Sequence, residues 1–207
     1  MKKVISALFL FFTTPHITAQ VRVAVKGGWN FSTAKAVYSD VKQNREFVYG
    51  YGAGIVAKIP FDGILQFSPS VMVNKRGTII KPMSGTVKSE QYTMTYIDII
   101  PALSLDFPHK ANSFVISFGP NFSFTNWGKI KTTDNNNATS SQKMKFGFDQ
   151  YGWIDLGLNA GLAYHLKKVF IELDYMHGLA NINNNEEVDK RNIANRMFSL
   201  NVGYYIR

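Results

Sequence analysis

Ile154-Asp155-Leu156-Gly157-Leu158-Asn159-Ala160-Gly161-Leu162-Ala163-Tyr164-His165-Leu166, then Lys167-Lys168, then Val169-Phe170-Ile171-Glu172-Leu173-Asp174-Tyr175, is the stretch that decides the fold. In the first arm Ile154, Leu156, Leu158, Ala160, Leu162, Tyr164 and Leu166 share one parity; Asp155, Gly157, Asn159, Gly161, Ala163 and His165 hold the other. A period of two marks a β-strand with one apolar face. Strict alternation from 154 to 166 is long beside the ~5–6 residues usual in a strand. After the Lys-Lys turn, Val169, Ile171, Leu173 and Tyr175 oppose Glu172 and Asp174. The stretch therefore reads as a hairpin with one greasy face and one small or polar face.

The same pattern recurs outside the hairpin. Segments 21–31, 47–58, 64–76, 92–106, 114–126 and 198–206 also alternate, which with the two arms predicts eight strands. Their connections alternate too. The tight ones fall at Pro60-Phe61-Asp62-Gly63, at 107–113 and at Lys167-Lys168; the long ones are 32–46, 77–91, 127–148 and 179–195. In an up-and-down meander this places every long loop at one end and every tight turn, with both termini, at the other. Outer-membrane β-barrels have that asymmetry, with short periplasmic turns and longer extracellular loops. The segment lengths suit tilted strands of about 9–11 residues across a bilayer.

Composition supports export. The 207 residues suffice for one domain. Lys2 and Lys3, the apolar run 4–12 and a small residue at Ala19 read as a cleavable signal peptide over 1–19, leaving a barrel domain over 20–207. The apolar run is shorter than the ~20 residues of a spanning helix. The absence of cysteine excludes disulfides and thiolate metal sites. The net charge of +9 becomes +7 without Lys2 and Lys3, which favours anionic lipid head groups as partners.

Which face looks outward decides between two barrels. A soluble lipocalin-like barrel would turn its greasy face inward around a ligand and need a well-charged exterior. Here the opposite face is rich in Gly, Ala, Ser and Asn, which suit a narrow interior. Its charged members carry both signs and are expected to pair as a lumenal polar network: Arg22, Lys26, Arg76, Asp98, Asp106, Asp155, His165, Glu172 and Asp174. His165 is expected to partner an inward acid such as Glu172. The aromatics, 14% of the chain, fall on the greasy face near its two ends. Trp29, Tyr49, Phe124 and Tyr175 lie toward the long loops; Phe67, Phe114, Tyr164 and Tyr204 lie toward the tight turns. Two aromatic belts are the mark of a barrel crossing two interfaces. The expected fold is thus all-β: an eight-stranded antiparallel up-and-down transmembrane barrel.

Several short stretches carry a family resemblance. Phe67-Ser68-Pro69-Ser70-Val71-Met72-Val73-Asn74-Lys75-Arg76-Gly77 resembles a signature strand of PorT-like outer-membrane β-barrel proteins. Tyr96-Ile97-Asp98-Ile99-Ile100-Pro101, Phe118-Gly119-Pro120, Asp174-Tyr175-Met176-His177-Gly178-Leu179-Ala180-Asn181-Ile182 and Phe198-Ser199-Leu200-Asn201-Val202-Gly203-Tyr204 are similar to later strands of that family, in its order. Three departures are Ser70 in place of the usual acid, one extra residue between Asp98 and Pro101, which beside the family motif predicts a bulge there, and a chain that ends Ile206-Arg207. The resemblance implies an outer-membrane location and, through the namesake, a link to secretion.

No catalytic constellation emerges. The inward acids are expected to form salt bridges, His177 to sit at a rim, and no zinc spacing or phosphate loop appears. Asn135-Asn136-Asn137 and Asn183-Asn184-Asn185 read as solvated loop tips. The expected protein has no cofactor, no metal and no enzymatic activity. It acts in envelope structure or as a membrane component of a protein assembly, through its extracellular loops. Lys129, Lys131, Lys143 and Lys145, against the single acid Asp134, make the loop 127–148 a basic patch. Its expected partners are lipopolysaccharide and outer-membrane lipid, with other envelope proteins as a further class. Nothing in the sequence points to nucleic acid or a small-molecule substrate. A soluble ligand-binding barrel and a lipid-modifying barrel enzyme remain the alternatives.

Overall fold

A computed structural model describes residues 21–38, 41–82, 85–185 and 190–206. The signal-peptide reading of 1–19 lies outside the described residues. Among the described residues ten strands form: β1 (Arg22–Tyr38), β2 (Val41–Lys42), β3 (Asn44–Asp62), β4 (Leu65–Lys81), β5 (Val87–His109), β6 (Asn112–Asp134), β7 (Thr139–Lys143), β8 (Ile154–Leu166), β9 (Val169–Gly178) and β10 (Asn192–Tyr205). Eight of them make the wall; β2 and β7 are short additions beside β1 and β6. Each wall strand pairs antiparallel with its chain neighbours, and β10 closes on β1 from Ala24–Tyr205 to Val37–Asn192. Closure leaves no open edge, the condition for putting a sheet into hydrocarbon.

Register sets the tilt. The rung Phe107–Phe114–Tyr164–Ile171–Val202–Gly27–Ala53–Val73 returns to β5 at Ile97, ten residues from its start at Phe107. Eight strands with that stagger lean roughly 40° from the axis, within the ~35–45° of outer-membrane barrels.

The pleat then sorts the side chains. On β8, residues 154, 156, 158, 160, 162, 164 and 166 are exposed and those between them are buried. Leu158, Leu162, Ile171 and Leu173 face outward, while Asp155, Glu172 and Asp174 are buried inside. The greasy face is the outer face, and the small residues allow the wall to close. A Cβ on Gly50 would stand 1.9 Å from the Lys75 carbonyl oxygen, and one on Gly203 would stand 2.1 Å from the Phe170 ring.

The structure departs from the sequence reading at the long-loop end. The loop 127–148 is mostly ladder: β6 runs on to Asp134 and turns back as β7, with Ala138 N–H donating to Asp134 Oδ1 at 2.8 Å. The loop 77–91 likewise shrinks, because β4 reaches Lys81 and β5 begins at Val87. Polar residues past the apolar band hid these extensions, since a strand standing in water needs no greasy face. The bulge expected between Asp98 and Pro101 is absent. The β5–β6 ladder breaks between Ile99–Phe122 and Leu103–Phe118 without changing register. Pro101 and Pro120 share one rung there, so both strands lose an N–H and neither gains a residue. The register shifts lie instead at Thr95/Tyr96 and Val87/Ser89.

Candidate functional site

The lumen is packed in layers, named here from the tight-turn end. In the first, Arg22 reaches Asp106 Oδ2 at 3.2 Å and Gln66 Nε2 donates to the same oxygen at 3.0 Å. His165 sits among aromatic rings, 5.0 Å from Phe170 and 5.5 Å from Tyr205, and its Nδ1 is 3.3 Å from the Tyr205 hydroxyl. This corrects the expected His165–Glu172 pair. The hairpin register sets His165 against Phe170 and Glu172 against Ala163, so the acid lies a layer deeper.

In the second layer Lys26 Nζ bonds Glu172 and lies 3.5 Å from Asp174. Asn159 and Asn201 each donate to Asp174, at 3.1 and 3.0 Å. Lys58, a second buried lysine, was missed as a candidate, although its inward parity within 47–58 was visible.

The third layer is the most enclosed. Arg76 and Asp98 are fully buried, 2.9 Å apart, and Asp155 lies 4.0 Å from the guanidinium. Asn74 donates to Asp98 at 2.6 Å and Asn195 to Asp155 at 2.8 Å. The guanidinium stacks over Tyr96 at 3.8 Å. Of the nine sequence-derived lumenal residues eight are buried inside and Arg22 is half-buried at the tight-turn end, and they form three separate clusters rather than one network. Such buried pairs hold because each charge meets an opposite one and further hydrogen bonds.

Apolar side chains stopper the long-loop mouth. Ala34, Ala36, Ile80, Tyr92, Met94, Tyr96, Ile130, Met144, Ile182 and Ile193 cluster there, with Phe146 and Tyr151 against them. The loops supply Met144, Phe146, Tyr151 and Ile182, which periodicity could not find because they lie outside the strands. Asparagines fasten this lid. Asn181 Oδ1 accepts the N–H groups of Asn183 (3.1 Å) and Ile193 (2.8 Å), and Asn183 Nδ2 donates to Arg191 O at 2.8 Å. Asn183 is thus 1% exposed and structural, not a solvated tip. Asn135, Asn136 and Asn137 are exposed.

On the outer wall, Trp29, Tyr49, Phe114, Tyr164 and Tyr204 are exposed; Phe67, Phe124 and Tyr175 are half-buried. Tyr175 packs on Phe198 at 4.6 Å and Phe31 on Tyr49 at 5.4 Å, toward the long-loop end. Phe107, Phe114 and Tyr164 share a rung near the tight turns. Lys129, Lys131, Lys143 and Lys145 are all exposed. The β6–β7 ribbon sets Lys129 directly opposite Lys143. Among the described residues, no group of three His, Cys, Asp or Glu side chains could hold a metal ion, and no helix is long and apolar enough to cross a membrane.

Comparison with known proteins follows the same lines. The profile for the outer membrane protein beta-barrel domain matches residues 15–184. Three solved structures are similar to this chain. The attachment invasion locus protein Ail of Yersinia pestis is 14% identical (TM-score 0.47, covering 89% of this chain and 98% of that one). Neisserial surface protein A is 16% identical (0.46, 88% and 96%), and OprG from Pseudomonas aeruginosa is 9% identical (0.46, 91% and 97%). No curated protein sequence matches the chain. A closed, outwardly apolar ring of strands and a family match over most of the sequence agree: this chain belongs to the outer membrane protein beta-barrel domain family and is an integral outer-membrane β-barrel protein.

Proposed function

We propose that this barrel is a non-conducting, non-enzymatic envelope component that works through its long-loop face, with its tight turns and termini in the periplasm. The filled lumen carries the reading. Three polar clusters and an apolar lid occupy the space a channel or substrate pocket would need. Eight strands enclose an interior just wide enough for side chains. What remains available is the outside of the long-loop end, where Lys129, Lys131, Lys143 and Lys145 present positive charge to anionic groups at the cell surface. The PorT-like order of motifs supports membership of an envelope assembly linked to secretion.

Two measurements test this. Reconstituted in planar bilayers, the wild-type protein is expected to give no discrete ion conductance; a steady open pore would refute the filled lumen. Replacing the four lysines by Ser is expected to weaken surface binding of polyanions and raise sensitivity to envelope-active detergents while leaving folding intact. Unchanged binding and sensitivity would remove the patch from the function.

A further inference from the structure

Just beyond the apolar band, β4, β5, β6 and β7 form a cleft of about 480 Å³ on the outer wall. Along each strand the change is abrupt. Val73 gives way to Lys75 and Ile97 to Thr95, while on β6 Phe124 is followed by Trp127 and then Lys129. Register brings these residues together: Lys75 pairs with Thr95 and Thr95 with Trp127, while Thr93 pairs with Lys129 and Lys129 with Lys143. The shift at Thr95/Tyr96 leaves Asn126 as the extra residue of β6, at the edge of the cleft.

The chemistry is one-sided. Three ammonium groups, two hydroxyls and an indole line the cleft, and no Asp or Glu does. Among the described residues none of the three lysines forms an ion pair; Lys75 Nζ instead lies 5.6 Å from the centre of the Tyr51 ring. Like charges directly opposite across a ladder are destabilising. An anion between Lys129 and Lys143 would reverse that sign, and phosphate offers three oxygens to ammonium and hydroxyl donors. The cleft faces sideways and continues the lipid-facing wall, so its occupant is one that also has acyl chains to lay against Val73, Ile97 and Phe122.

We infer that Lys75, Thr93, Thr95, Trp127, Lys129 and Lys143 form a binding cleft for the phosphate of a phosphorylated glycolipid in the outer leaflet. The inference rests on the proposed orientation and deepens the proposed function, by giving the basic face a lipid rather than a protein ligand. It also separates Lys75, on β4, from Lys131 and Lys145, which lie outside the cleft.

The test uses the full barrel in phosphatidylcholine nanodiscs, with Trp29→Phe and Trp153→Phe so that Trp127 alone reports. Titration with diphosphoryl lipid A is expected to change Trp127 emission saturably, and dephosphorylated lipid A is not. Each of Lys75→Ser, Lys129→Ser and Lys143→Ser is expected to weaken binding about tenfold, the worth of one charge-assisted hydrogen bond. Lys131→Ser and Lys145→Ser are expected to change it less than twofold. Inorganic phosphate is expected to compete only at far higher concentration, because it lacks the acyl chains. Equal binding of both lipids, or equal loss from lysines inside and outside the cleft, overturns the lipid site while leaving a basic contact face in place. Stronger competition by polyglutamate than by lipid A makes the ligand an acidic protein and also overturns it. If no polyanion binds, the site and the proposed use of the basic face fall together.

Discussion

Arg76 shows what single residues do in this barrel. It is fully buried, and its charge balances Asp98 and part of Asp155. Its inward position was legible from parity, because Asn74 and Arg76 alternate with Val73 and Lys75. Its partners were not, because pairing across the lumen depends on register and stagger. Removing one member of a buried ion pair leaves an uncompensated charge and costs about 3–5 kcal/mol. Arg76→Met is therefore expected to lower stability by about that amount in urea unfolding from lipid vesicles, and adding Asp98→Asn is expected to restore part of it. An unchanged midpoint for Arg76→Met would mean that the third layer is wet. Gly50 is a second such residue. Its Cβ would collide with a backbone carbonyl rather than a movable side chain, so Gly50→Ala is expected to slow or block folding into vesicles, read as loss of the heat-modifiable gel band.

At the scale of elements, alternation found all eight wall strands and misjudged where they stop. The signal it uses is contrast between a lipid face and an interior face. That contrast ends where the bilayer ends, while the hydrogen-bond ladder continues through Lys129, Lys131 and Thr133 in water. For the same reason β7 was invisible: all five of its residues are exposed. The lid was hidden for another cause. Met144, Phe146, Tyr151 and Ile182 lie in loops outside the strands, and only their convergence over one mouth gives them a role. The β6–β7 ribbon projects beyond the wall, so its removal is expected to spare the barrel. Replacing residues 131–141 by a Gly-Asn-Gly turn should change unfolding free energy by less than about 1 kcal/mol, since exposed ribbon buries little apolar area. A collapse of folding would show that the ribbon nucleates or braces the wall.

The whole molecule is a ring whose inside and outside have exchanged the usual roles. Charges and amides run through the interior beneath an apolar lid, and Leu, Ile, Val and aromatic side chains cover the exterior. A closed ladder permits this, because every wall strand satisfies its backbone within the ring. The family match gives the same architecture. Leu158, exposed on β8 and paired with Pro120 and His177, reports on that inversion directly. The decisive measurement is the equilibrium unfolding free energy of Leu158→Arg in phospholipid vesicles, against wild type. A loss of roughly 2–4 kcal/mol is expected if the side chain meets hydrocarbon near the bilayer midplane. A change of less than about 0.5 kcal/mol, the size typical of a water-exposed surface position, would contradict the outward apolar face and with it the membrane barrel.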